Sequence, residues 1–315
     1  MDGQSWLGVY GVFGEGGAVS DILNGKQWHV EHADCIEHMR TLPDAVFDMA
    51  VFSPPFPALY AYTGELCDIG NSESDAEMKL HLGWFYRQLA RVMKPGRVVA
   101  VHVMQIPRMR RAGMGRGLRD FRGLNIRLGE RSGLVYEYDW AVRKNPQAQA
   151  IRTKSRELQF SGLESDRSRS RGALADYVIK FTAPGDNETP INSKGQVTRN
   201  QWIDYAECVW TDIQETDTLN VRGTKGEDDT RHICPLQLPL IDRLIRLYSN
   251  PDEIVFSPFT GIGSEGVKAI ENGRRFYGCE IKSEYLDAAR RNIGGASLRA
   301  TEEEKRDLFA TVGAA

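Results

Sequence analysis

The chain of 315 residues has no apolar run near the roughly 18 to 20 residues that span a bilayer. Its opening, Met1 to Gly17, is rich in glycine but has no basic start of the kind a secretion signal carries. These two absences lead us to expect a cytoplasmic protein without membrane partners. The five cysteines, Cys35, Cys67, Cys208, Cys234 and Cys279, show no C-x-x-C spacing. That argues against a zinc site and against a disulfide framework, so we expect no metal and mostly buried, reduced thiols. An excess of positive charge is also missing: the formal net charge is -3. Whole-chain charge hides local asymmetry, however. Between Arg108 and Arg131 the chain carries Arg110, Arg111, Arg116, Arg119, Arg122 and Arg127, opposed only by Asp120 and Glu130, and a second basic stretch holds Arg143, Lys144, Arg152, Lys154, Arg156, Arg167, Arg169 and Arg171. Such runs read alone are solvated surface, but these two flank one candidate site.

What is present is βα patterning at both ends. Val46 to Phe52 is a mostly apolar run stopped by Ser53-Pro54-Pro55, as expected for a buried parallel strand entering a loop, because proline cannot continue a ladder. Apolar residues at Leu80, Trp84, Phe85, Leu89, Val92 and Met93 recur at helical spacing, Lys94-Pro95-Gly96 ends that helix, and Arg97 to Val103 reads as the next buried strand. Toward the other end, the pattern predicts a helix over Leu236 to Tyr248, a strand over Glu253 to Phe256, a loop from Ser257 to Gly263, a helix over Ser264 to Asn272, a strand from Arg275 to Cys279 ending at Glu280, and a further helix over Ser283 to Asn292. Alternation of this kind implies an α/β fold with a mostly parallel sheet. The polar, less periodic middle, roughly Pro107 to Asn220, reads as an inserted or appended lobe.

Two loops carry chemistry. Phe259-Thr260-Gly261-Ile262-Gly263-Ser264 lies between a strand and a helix, where glycine lets a cofactor approach the backbone, and Glu280 ends the next strand, placed to accept hydrogen bonds from two ribose hydroxyls. The loop lacks the Lys-Ser/Thr pair of a phosphate-binding loop, so a nucleoside without phosphates fits better, and S-adenosylmethionine is such a molecule. In Ser53-Pro54-Pro55-Phe56 the prolines stiffen the loop and remove backbone donors. The Ser53 hydroxyl and the Pro54 carbonyl can then each accept one hydrogen of an amino group. An exocyclic base nitrogen is a poor nucleophile, its lone pair being delocalised. Accepting both hydrogens in a dry pocket directs that lone pair toward a methyl donor. Phe56 offers a face on which an extruded base stacks, and Tyr60 and Tyr62 are further candidate faces. No strong base is required, because the methylated amine becomes acidic.

The combination resembles the DNA amino-methyltransferases, in the beta arrangement where the catalytic half precedes the S-adenosylmethionine half. The resemblance is carried by Ala33-Asp34-Cys35-Ile36, by Phe47 through Phe56, by Arg91 to Gly96, by Arg231 to Leu240, and by Ser257 to Ser264 with Glu280. It implies a Rossmann-like methyltransferase fold with circularly permuted motif order and a smaller target-recognition lobe. The halves would be a catalytic one over 26-140 and a cofactor one over 226-300, with the DNA-binding lobe at 141-225. Ser53, Pro54, Pro55 and Phe56 would hold the amine. Phe259, Gly261, Gly263, Ser264 and Glu280 would line the cofactor, with Asp34 near its adenine end. Trp140 to Lys144 is similar to the strand bordering the target base, and Arg110, Arg111, Arg116, Arg143, Lys144, Arg152 and Lys154 would contact the phosphates of double-stranded DNA. Many enzymes of this arrangement pair, so a homodimer is an expectation as well. The sequence departs from the pattern at Ser257, where the family more often has Asp, and at Glu265, where it has a hydroxyl.

Serine at the head of the catalytic loop resembles the N4-cytosine enzymes more than the N6-adenine ones, so N4-cytosine is placed slightly ahead. C5-cytosine chemistry needs a nucleophilic cysteine after a proline, and this chain has only Cys234 before Pro235. Methylation of an amide or an RNA base is a weaker alternative, since there the cofactor loop usually comes first. A DNA-binding protein with a degenerate methyltransferase fold is the non-enzymatic one. No cleavage domain is legible, which predicts a stand-alone modification enzyme of a phage or bacterium.

Overall fold

The computed structural model describes residues 22–56, 69, 75–107, 117–153, 164, 167–192, 194–219 and 235–312. Ten strands and eight helices alternate among them. The first half contains β1 (Trp28–His32), α1 (Cys35–Thr41), β2 (Phe47–Phe52), α2 (Asp75–Val92), β3 (Met93–Met104), β4 (Ile106–Pro107), β5 (Leu118–Arg119), α3 (Phe121–Arg131), β6 (Val135–Val142) and α4 (Pro146–Thr153). Then follow β7 (Asp176–Thr182), α5 (Arg199–Tyr205), β8 (Val209–Trp210), α6 (Leu238–Tyr248), β9 (Ile254–Ser257), α7 (Ser264–Glu271), β10 (Arg275–Glu280) and α8 (Ser283–Val312).

Eight strands form one sheet in the order β1-β10-β9-β2-β3-β7-β6-β8. The five from β1 to β3 run parallel, and β7 joins antiparallel to both β3 and β6. Residues 47–52 are buried throughout, as a central strand covered on both faces requires. One face is packed by α1, α2 and α3 over Phe52, Val99, Val101 and Phe181, and the other by α6, α7 and α8 over Met49, Val51, Ala100 and Val255. This is the α/β fold with a mostly parallel sheet that the βα alternation implied, in the three-layer Rossmann-like form that the resemblance implied.

The middle of the chain departs from the expectation. In place of a separate lobe over 141–225, this stretch supplies β7 to the interior of the main sheet and β8 to its edge. Asp176–Thr182 sets two charged residues in an otherwise mostly apolar strand, and both are neutralised inside the protein, Lys180 by Glu137 and Asp176 by Lys144. A strand can be buried and still look polar when its charges are paired. The basic stretch before it is likewise partly structural: Arg122 pairs with Asp139 and Arg127 with Asp120, while Phe121, Leu124 and Leu128 of α3 enter the core.

The two halves of the chain meet at the β9–β2 seam, where Met49 faces Val255 and Ala50 faces Phe256. Asp48, 3% exposed, fastens this seam. One carboxylate oxygen accepts the Ile254 backbone N–H at 2.9 Å, and the other meets Lys94 at 2.6 Å and Arg97 at 3.4 Å. Arg97 also pairs with Glu253. The order of the connections reverses at this seam, with β9 leading through α7 to β10 on one side and β2 through α2 to β3 on the other. Open α/β sheets bind ligands at the carboxyl ends of strands beside such a switch point.

Candidate active site

A cleft opens at those carboxyl ends. Its walls come from the segments following β1, β2, β9 and β10: Asp34 after the first, Ser53 to Phe56 after the second, Pro258 to Ile262 after the third, and Glu280 and Ile281 at the end of the fourth. The Gly261 turn and Pro54, distant in sequence, therefore face one cavity.

On the β9 side, Gly261 takes φ of 54° and Gly263 takes 92°, which glycine adopts without strain. Their roles differ. Gly261 lines the cleft and donates its N–H to Glu280 at 2.7 Å. Gly263, expected to line the cofactor, is instead the N-cap of α7, where a Cβ would lie 3.1 Å from the Ala289 backbone; it is a packing glycine that lets α7 rest on α8. Ser264 lines the cleft, and its hydroxyl is buried with no protein partner. Such an orphan at a helix N-terminus, beside unsatisfied backbone N–H groups, suits an anionic tail. Phe259 anchors the loop from below, packing at 5.0 Å from Phe85 and 5.8 Å from Phe52.

Three carboxyl groups face the cleft. Glu280 accepts from Gly261 N–H and from Lys282 N–H at 2.9 Å, one bond on each oxygen. Backbone donors thus fix the orientation of this carboxylate at the cleft wall. Asp34 caps α1, taking Ile36 and Glu37 N–H groups on Oδ1 at 3.0 and 2.9 Å, while burial pushes its carboxyl up. Glu265 is buried in the first turn of α7. Burial, reinforced by Glu280 and only partly opposed by its own backbone N–H, pushes its carboxyl up to about 8. At neutral pH it therefore holds its proton. The thiols of Cys35 and Cys279 also line the cleft, and burial pushes both up, so neither is a thiolate nucleophile.

On the β2 side, Ser53 Oγ donates to the His102 carbonyl of the neighbouring strand at 3.1 Å, leaving its lone pairs as acceptors. Phe56 rests its ring against Phe121 at 5.6 Å, which holds it at the cleft wall. Behind Ser53 lies a polar chain that sequence reasoning missed. His102 Nδ1 is 3.4 Å from Ser53 Oγ, His102 Nε2 is 2.9 Å from Asp176 Oδ2, and Lys144 Nζ is 2.6 Å from that same oxygen. Its only advance signal is a histidine inside the apolar run Val99 to Val103. Lys144, expected on DNA phosphates, is a correction: its ammonium is buried on Asp176, and Arg143 beside it is the exposed cation. Trp140 is also interior, stacked on Trp210 at 4.8 Å. Arg110, Arg111, Arg116, Lys154, Arg156, Tyr60, Tyr62 and the 231–234 part of the motif before the glycine loop lie outside the described residues, as does the side chain of Arg152.

Comparison with known proteins identifies the family. The model of the DNA methylase family of N6 and N4 type matches residues 47–291, and the chain belongs to that family. The DNA adenine methyltransferase YhdJ of Escherichia coli (strain K12) is 44% identical over 71 residues, 22% of this chain and 24% of that protein. The first curated relatives are matched over only about a fifth to a quarter of their lengths. The solved structure of TTHA0409 from Thermus thermophilus, complexed with S-adenosyl-L-methionine, is 19% identical with a TM-score of 0.62 over 85% of this chain and 93% of that one. PvuII DNA methyltransferase, described as cytosine-N4-specific, is 18% identical with a TM-score of 0.58 over 87% and 92%. These two likenesses establish the shared fold.

Proposed function

We propose that the protein transfers a methyl group from S-adenosylmethionine to the exocyclic amino group of a base flipped out of double-stranded DNA, with cytosine N4 favoured over adenine N6. The observation that carries this reading is the single cleft lined by both Ser53-Pro54-Pro55-Phe56 and the Gly261 loop. The residues present fit the cofactor. The orphaned Ser264 hydroxyl and the α7 N-terminus would take its carboxylate, Glu280 its ribose, and Asp34 the adenine end. When bound, it supplies an electrophilic sulfonium methyl.

The chain's own contribution is positioning. Ser53 Oγ and the Pro54 carbonyl accept the two amine hydrogens and turn the nitrogen lone pair toward the β9 side of the cleft. Phe56 stacks on the extruded base, offsetting part of its unstacking cost. Serine at this position resembles the N4-cytosine enzymes, which supports cytosine, although both amines present the same two hydrogens to the two acceptors. Arg143, with Arg110, Arg111, Arg116, Arg152 and Lys154, is proposed to hold phosphates, a salt-sensitive and sequence-blind contribution. Labelled-methyl transfer to duplex DNA, followed by identification of the methylated base, tests the reading. Incorporation that falls by about 100-fold or more in Ser53→Ala, with cofactor binding retained, supports it. Tight DNA binding without incorporation by the wild type refutes it.

A further inference from the structure

We propose that His102, oriented by Asp176 and Lys144, receives the amine proton through Ser53. The inference rests on the amino-methyl transfer proposed above and adds to it a defined acceptor for the proton. The methylated amine is acidic enough to need no strong base. The proton must nevertheless be taken up beside the nitrogen, and Ser53, the proposed acceptor of one amine hydrogen, has His102 behind it.

The geometry defines that acceptor. Asp176 is 3% exposed; burial pushes its carboxyl up, but His102 and Lys144 outweigh that and hold it below the ordinary carboxylate range. An ionised carboxylate can only accept, so the His102 nitrogen 2.9 Å from it, Nε2, carries the hydrogen. In the neutral ring the remaining lone pair is then on Nδ1, which is the atom 3.4 Å from Ser53 Oγ. Carboxylate, imidazole and hydroxyl follow one another from the interior to the cleft, each on a different strand or strand end. The Lys144–Asp176 pair is neutral overall, so an imidazolium at His102 brings one positive charge beside a carboxylate already in place.

The step balances. After the methyl group arrives, one N–H bond of the amine breaks and its electron pair returns to nitrogen. The Ser53 hydroxyl turns from the His102 carbonyl toward Nδ1, the amine proton bonds to Oγ as the hydroxyl proton passes to Nδ1, and once the product has left, the imidazolium returns its proton through Ser53 to water in the cleft. Because His102 acts through Ser53, it is a positioning and relay residue. The charged groups facing it are Asp176 from β7 and Lys144 from the segment after β6. On α6, which covers the same side of β3, Asp242 pairs with Lys268 and Arg243 with Asp212. The opposite side of β3 presents Val99, Val101 and Val103 to the apolar layer of α2 and α3.

The test is single-turnover methyl transfer to duplex DNA, with saturating S-adenosylmethionine, measured between about pH 5 and 9 for wild type and His102→Gln. Expected for the wild type is a rate that rises with pH. His102→Gln should be slower by about 100-fold at pH 8 and lack that rise, with unchanged affinity for radiolabelled S-adenosylmethionine. A flat wild-type profile, or a His102→Gln rate within about twofold of wild type, overturns the relay. The wild-type profile needs no variant, so the proposal stays testable if the substitution impairs folding. No incorporation by the wild type would overturn the methyl-transfer reading itself, and the relay with it. Incorporation without the histidine-dependent rise would overturn the relay alone.

Discussion

Glu265→Gln should remove a pH-dependent penalty from the folded state. The side chain is 4% exposed, and its carboxyl is raised from an ordinary value of 4.5 to about 8. Below 4.5 both the folded and the unfolded forms hold the proton, and the group costs nothing. As pH rises toward 8 the unfolded chain gives up the proton while the folded chain keeps it, so stability declines; above 8 both are ionised and the full cost is present. Three and a half units at about 1.4 kcal/mol each set a ceiling of about 5 kcal/mol. Glutamine keeps the shape and the donor without the titration. Denaturant unfolding of the ligand-free protein at about pH 5, 7 and 9 should show wild type losing stability with pH by up to that amount relative to the variant, a melting difference of roughly 5 to 10 °C. Parallel stability curves for the two proteins across this range would show that Glu265 is not held protonated and would refute the reasoning.

Asp48→Asn should destabilise by about 3 kcal/mol, read as a lower denaturation midpoint, because Arg97 is left buried beside a weaker acceptor at the seam. Gly263→Ala should cost about 1 to 3 kcal/mol, since the position combines positive φ with a 3.1 Å approach to Ala289; melting temperature and radiolabelled S-adenosylmethionine affinity should fall together, and an unchanged melting temperature would contradict the packing role.

Both loops are legible in the sequence because each is a local event. A β-rich apolar run broken by Pro54 and Pro55, or by Gly261, announces a strand end without any knowledge of distant partners. Their meeting at one cleft also follows, since parallel strands in one sheet share a carboxyl edge. The polar chain behind Ser53 is not legible. His102 and Asp176 are 74 positions apart, and nothing in a periodic pattern says that a charge will be paired across strands. For the same reason the sequence pointed Lys144 at DNA: a basic residue in sequence carries no direction, and only the fold turns it inward onto Asp176. Gly263 reads like Gly261 because glycine spacing does not reveal whether the missing side chain makes room for a ligand or for a helix.

The seam fastened by Asp48 has a consequence for how a reaction cycle would run. The platforms for donor and acceptor hang from neighbouring strands, tied by a backbone hydrogen bond and a buried charge, so their separation is fixed when the chain folds. No hinge separates β2 from β9 to bring the reactants together, and the work of approach falls on the incoming nucleotide, which must leave its stack to reach a jaw that is already set.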